Sequence, residues 1–219
     1  MTGYTNKSAD TGLRPRCYAA IIIALVLFGL LFGRLTPYFW TQLALSAAAL
    51  GVVAVLLERK PMLTAFRDEG GPGIVRTILI GLTSAAALYV VFLIGNAASR
   101  ALFSFGAPQI DAVYGLGVTT PRWVIAVLLI LVVGPCEEIF WRGYVQRRLT
   151  AEFGLPGLVV SVLAYGAAHI VTLNFMLIMA ALVCGTFWAL QYYLFRSVRT
   201  NMISHAAWAS AIFVFFPMR

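Results

Sequence analysis

Long apolar runs separated by short polar stretches make up most of the 219-residue chain. A helix that crosses a bilayer needs about 20 mostly apolar residues. Seven runs meet that need, at about 17–33, 38–57, 74–95, 122–147, 156–172, 175–195 and 200–216. The first contains "YAAIIIALVLFGLLFG"; no small-residue cleavage site follows it, so it reads as a span rather than a signal peptide. A polar tail, 1–16, precedes it. The stretch "ERKPMLTAFRDEGGPG" at 58–73 is too charged to cross. The connection 96–121, with "FGAPQIDAVYGLGVTTP", is long enough to hold an interfacial or re-entrant piece. Pro156 stands where a fifth span would begin, a position that suits proline. No internal repeat or low-complexity segment appears. The pattern predicts an all-α, polytopic helix bundle forming a single transmembrane domain over 1–219.

Composition sharpens this reading. The chain is 61% hydrophobic and 11% charged, against about half and about a quarter in an ordinary soluble domain. The net charge of +8 is spread between the apolar runs rather than gathered in a patch, so it points to membrane topology and away from nucleic acid. With the N-terminus cytoplasmic, one set of loops holds Lys7, Arg14, Arg16, Arg59, Lys60, Arg67, Arg76, Arg147, Arg148, Arg196 and Arg199. The other set holds only Arg34, Arg100, Arg122 and Arg219. The bias agrees at every crossing and predicts N-terminus in, C-terminus out. Cys17, Cys136 and Cys184 lie in or beside apolar segments without CxxC spacing, so neither a disulfide nor a zinc site is expected from them. Trp141, Tyr144, Trp188 and Trp208 are expected to pack or to belt the interface.

Ionisable groups inside a bilayer cost several kcal/mol unless paired or wet, and they mark function by default. Once the loop charges are set aside, Glu137, Glu138, Arg142, His169 and His205 remain. Glu138 and Arg142 are four residues apart, acid first, and should form an ion pair along one helix face. Glu137 is rotated about 100° from Glu138 on a helix, so it faces elsewhere and has no local partner. A carboxylate left without a partner is available to take and return a proton, as a general base or acid must. Depth is compatible: at 1.5 Å per residue, Glu137 lies about 18 Å and His169 about 20 Å from the cytoplasmic ends of their spans. His205 lies only about 9 Å in and reaches the same site only if its span tilts or starts deeper. Other readings stand beside this one. A membrane histidine often makes a helix-to-helix hydrogen bond, Glu137 can face a wet crevice without acting, and Cys136 has no base paired with it as a nucleophile would need.

"EEIFWR", Glu137-Glu138-x-x-x-Arg142, resembles the EExxxR signature of the CPBP (CAAX protease and bacteriocin-processing) intramembrane proteases. "YGAAH", Tyr165 to His169, is similar to that family's Phe-x-x-x-His motif with tyrosine for phenylalanine. "SHAAWA" around His205 is similar to its His-x-x-x-Asn motif in the last span. The resemblance covers roughly 120–216, which would be the CPBP-like catalytic core. It implies a glutamate-dependent endopeptidase in which Glu137 activates a water with the help of His169. His205 and an asparagine one turn later would hold the oxyanion, and Glu138 and Arg142 would keep the helix in shape. Here the position four after His205 is Ala209. Asn201, four before His205 on the same face, is the candidate substitute, with a backbone N–H or Ser210 as the remaining options.

The implied substrate is a membrane-inserted or lipidated peptide or protein, such as a leader peptide or a C-terminal sorting tail, cut in the cell (inner) membrane of a bacterium. No cofactor is expected. Zinc is the lesser alternative, because two histidines and Glu137 as ligands would leave no separate base and the H-E-x-x-H pattern is absent. A different class of function is a non-catalytic membrane scaffold or bacteriocin-immunity protein of the same family, which Ala209 favours. A proton-coupled transporter would want symmetry or broken helices that the sequence does not show. A Glu/His base requires a rate that changes between about pH 5 and 8.

Overall fold

The computed structural model describes residues 13–33, 38–59, 73–116 and 120–218, and it contains helices and no strand among them. The tail as far as residue 12, Arg34, the polar stretch from Lys60 to residue 72, and Arg219 lie outside the described residues. In chain order, α1 is Leu13–Phe32, α2 Phe39–Leu57, α3 Ile74–Leu102 and α4 Gly106–Tyr114. Next come α5, Arg122–Phe153, and α6, Leu155–Ala167. Then follow α7, Phe175–Phe195, and α8, Val198–Ser210, which continues as a π-helical turn over Ala211–Phe215. Six of the described helices are long and apolar enough to cross a membrane. α8 is not one of them, because Arg199, Asn201, Ser204 and His205 dilute its apolar residues.

The expected spans are all present as helices, with shifted ends. α3 runs on to Leu102, since "NAASRAL" is good helix-forming sequence and Arg100 Nε donates to Asn96 Oδ1 one turn back at 3.0 Å. The connection 96–121 contains the short helix α4, which packs against α3 and α7. α6 stops at Ala167 and passes through a single 3-10 turn, Ile170–Thr172. The short links are tightly capped: Asn174 accepts from the Leu177 N–H at 2.9 Å and Ser197 from the Thr200 N–H at 3.2 Å, which satisfies helix N–H groups that have no intrahelical partner. Gly154 takes φ +66 to turn the chain from α5 into α6.

Lipid gives helices no hydrophobic reason to associate, so close packing through small residues has to supply it. α8 is held this way between α3 and α5. A methyl group at Gly134 of α5 would sit 2.9 Å from the Ala206 nitrogen, and one at Gly81 of α3 would sit 2.7 Å from Ile203 Cγ2. Gly51 of α2 admits Cys136 of α5 in the same manner, at 3.1 Å. Phe140, Trp141, Tyr144 and Trp188 are fully buried at the centre. Towards the arginine-rich end, buried Glu58 just past α2 is ion-paired with both Arg147 and Arg148, which ties α2 to the end of α5.

Candidate active site

α5 is not a uniform helix. Its middle, Gly134–Glu138, is α-helical, and it is flanked by π-helical segments at Leu129–Val133 and Ile139–Gln146. Pro135 explains part of this, since proline has no N–H to donate and its ring crowds the carbonyl four residues earlier. A wider turn just before it relieves that crowding. Such turns recur at functional sites, and this one delivers Glu137 and Glu138 to the bundle interior.

The two acids then part ways. Glu138 is wholly buried and saturated. Its Oε1 accepts from Arg142 Nη1 at 2.9 Å and from His205 Nδ1 at 2.8 Å, and its Oε2 accepts from Asn201 Nδ2 at 3.1 Å. Arg142 donates in addition to the Gly185 carbonyl at 3.2 Å, and its guanidinium lies 4.8 Å from the Tyr165 ring and 5.5 Å from the Trp188 ring. Glu138 therefore ties α5 to α8, and Arg142 extends the tie to the Gly185 carbonyl of α7. The sequence pattern exposes the Arg142 pair. It does not expose His205 or Asn201, which come from a helix more than sixty residues away.

Glu137 is turned to the other side and lines a cavity of about 350 Å³. It is not without a partner, as the sequence suggests: the Tyr165 hydroxyl donates to its Oε2 at 3.2 Å. The visible signal was the tyrosine that stands in the phenylalanine position of the second motif. Tyr165, His169 and His205 line the same cavity, so the shallow placement expected for His205 does not keep it from Glu137. The rest of the wall is mainly apolar, with Phe28, Phe32, Trp40 and Phe92 among its residues and Ala209 beside His205.

Both imidazoles are held by one nitrogen. His169 Nδ1 lies 3.1 Å from the Tyr165 carbonyl, which can only accept, so Nδ1 carries a proton. That carbonyl is left over where α6 ends, because the His169 N–H turns to Gly166 instead. His205 Nδ1 likewise donates to the Glu138 carboxylate, and the ring is stacked on Trp188 at 3.9 Å between centroids. In both cases Nε2 is the remaining functional atom. A partner that fixes one ring nitrogen sets what the other does. A neutral ring offers a lone pair at Nε2, and a doubly protonated ring offers a donor.

Two oxyanion options raised by the sequence lie away from the cavity. Asn201 does not line the cavity: it is fully buried, and its Nδ2 donates to Glu138 and, at 2.8 Å, to the Trp188 carbonyl. An amide nitrogen has two protons, and both are spoken for, so Asn201 is a support for Glu138 rather than a donor to an oxyanion. Ser210 is buried outside the cavity lining and does not replace it. Cys136 is half-buried against Gly51 and also lies outside the lining. Among the described residues no three His, Cys, Asp or Glu side chains are grouped to hold a metal ion.

Residues 119–211 match the family described as Type II CAAX prenyl endopeptidase Rce1-like. No curated protein and no solved structure matches the chain. The matched stretch contains Glu137, Glu138, Arg142, Tyr165, His169 and His205, and six apolar helices surround or belong to it. The six apolar helices make this chain a multi-pass membrane protein, and its stretch 119–211, less than half of the chain, is similar to that endopeptidase family.

Proposed function

We propose that the protein is an endopeptidase that hydrolyses a bond in a membrane-associated peptide with a water activated by Glu137 and His169, without a metal. The observation that supports this most is the division of labour between adjacent acids: Glu138 is saturated, while Glu137 meets both histidines at one apolar-walled cavity. Glu137 Oε2 is held by Tyr165, which leaves Oε1 to accept a proton from the water. The lone pair of His169 Nε2 assists from across the cavity. The water oxygen attacks the peptide carbonyl carbon, and the carbonyl oxygen gains the negative charge. His205, its Nδ1 fixed on Glu138, is placed to donate to it through Nε2 in the form that carries a second ring proton, and such a donor works best pre-set in a dry cavity. When the C–N bond breaks, the proton held by Glu137 passes to the departing nitrogen.

Ala209 supplies no side-chain donor to the oxyanion. The Tyr165 hydroxyl is the nearest substitute, since its bond to Glu137 weakens once that carboxylate is protonated. The test is cleavage of an internally quenched single-span peptide by the reconstituted protein. Glu137→Gln and His169→Ala are expected to lower the rate by roughly 10²–10⁴, the range for losing a general base, while the thermal melt stays in place. A Glu137→Gln protein that cleaves at the wild-type rate sinks the reading and leaves a peptide-binding scaffold.

A further inference from the structure

The height of the cavity within the bundle is informative. Glu137 and His205 are near the middle of α5 and α8. On α1, α2, α3, α6 and α7, the lining residues all fall in one half of each helix. That half ends at Phe32 on α1, begins at Phe39 on α2, ends at Leu102 on α3, ends at Ala167 on α6 and begins at Phe175 on α7. The cavity therefore has the two reactive groups on its floor and extends towards one end of the bundle only.

That end is the one poor in arginine. Among the described residues, Arg16, Arg59, Arg76, Arg147, Arg148, Arg196 and Arg199 lie at the opposite end. The cavity end has Arg122 and Arg100, and Arg100 is tied to Asp111 at 2.8 Å. Arginine-rich ends stay in the cytoplasm. The way to the floor from the arginine-rich end is filled by Glu138 with its three partners, by the Gln146 amide on the Ala189 carbonyl at 2.9 Å, and by Glu58 between Arg147 and Arg148. At the other end the wall is open sideways. α3 and α7 meet only sparsely, and Val91, Met179 and Val183 both line the cavity and are more than a third exposed. Gly95, also in the lining, has nothing near the place a side chain would take.

We propose that the cavity is served from the extracytoplasmic half of the bilayer, through the gap between α3 and α7, so that the substrate is a membrane-anchored peptide presented on the outer side. This rests on the protease reading above for what happens inside, and on geometry alone for the route. Asn96 and Ser99, which line the cavity on α3, are the polar groups an incoming peptide backbone meets first.

Sealed vesicles of the two orientations, treated with a membrane-impermeant maleimide, test the side. Ser99→Cys is expected to label in right-side-out vesicles and Arg76→Cys in inverted ones, each above the signal of Cys17, Cys136 and Cys184 in the wild type. Labelling of Ser99→Cys only in inverted vesicles, or in neither, overturns the proposal, and it does so whether or not the protein cuts anything. The route is tested with the quenched single-span peptide and Gly95→Trp, whose β-carbon enters open space and whose ring fills the gap. Loss of most of the cleavage is expected. Full cleavage by Gly95→Trp beside a silent Glu137→Gln removes the α3–α7 entrance and spares the protease reading, whereas cleavage by Glu137→Gln removes the protease reading and leaves the labelling result intact.

Discussion

Removing one oxygen from Tyr165 isolates one of the two positions, 165 and 209, at which this chain departs from the motifs it resembles. Tyr165→Phe keeps the ring under the Arg142 guanidinium and in edge-to-face contact with Trp141, at 5.3 Å between centroids. It deletes only the 3.2 Å hydrogen bond to Glu137. A hydrogen bond to a charged group contributes about 1.5–3 kcal/mol, and a bond of this length belongs at the low end. About 1.4 kcal/mol is a factor of ten in rate. Tyr165→Phe should therefore cleave the quenched peptide roughly tenfold more slowly, with the loss in kcat rather than KM, because Glu137 acts after the peptide is bound. The loss should be repaired in part by Ala209→Asn, since position 209 lines the same cavity and its asparagine amide would offer the oxyanion the donor that Tyr165 no longer lends. The assay is steady-state cleavage in proteoliposomes, with the thermal melt as a check on folding. A Tyr165→Phe protein that keeps its wild-type kcat refutes the reasoning, and a double variant no faster than the single one refutes the compensation.

Glu138→Gln should lower stability by about 3–5 kcal/mol, as expected when a buried pair loses one partner, because Arg142 and His205 are then left facing a neutral amide. Unfolding in mixed micelles reads this, and Glu138→Gln with Arg142→Gln should be less damaging than either change alone if the charge is what matters. Gly134→Ala forces a methyl to 2.9 Å from the Ala206 nitrogen and should cost about 1–3 kcal/mol by overpacking; an unchanged melt would mean that α5 and α8 are not pressed together there. A zinc chelator should leave cleavage untouched, and inactivation that added zinc reverses would remove the metal-free mechanism.

The span boundaries and the ion pair were legible because they depend on local pattern: a run of apolar residues fixes a helix whatever surrounds it, and an i,i+4 acid and base meet on any helix. The approach of Glu137 to His169 and His205 was legible only as compatible depths, since sequence says how far along a helix a group lies but not which way the helix is rolled. Asn201 shows the limit. Its spacing from His205 was read correctly as a shared face, but two acceptors from other helices, Glu138 and the Trp188 carbonyl, take its amide. The roll of α5 was hidden too, because a fixed 100° per residue does not hold across its π-helical segments. Tyr165 is a signal carried by the sequence itself: a phenol where the resembled motif has a bare ring needs an acceptor when buried, and Glu137 supplies it.

The two widened stretches of α5 also govern how the gene can change length. A π-turn stores one more residue per turn than the surrounding spiral, so the wall at Ile139–Gln146 holds slack that α1, α2, α3, α4, α6 and α7 lack as described. Losing a single codon there would tighten the coil to ordinary pitch and leave Glu137 where it is, with the shift absorbed downstream towards Arg147. A codon lost inside Gly134–Glu138 has no such reserve, and it would swing the reactive acid away from its partners.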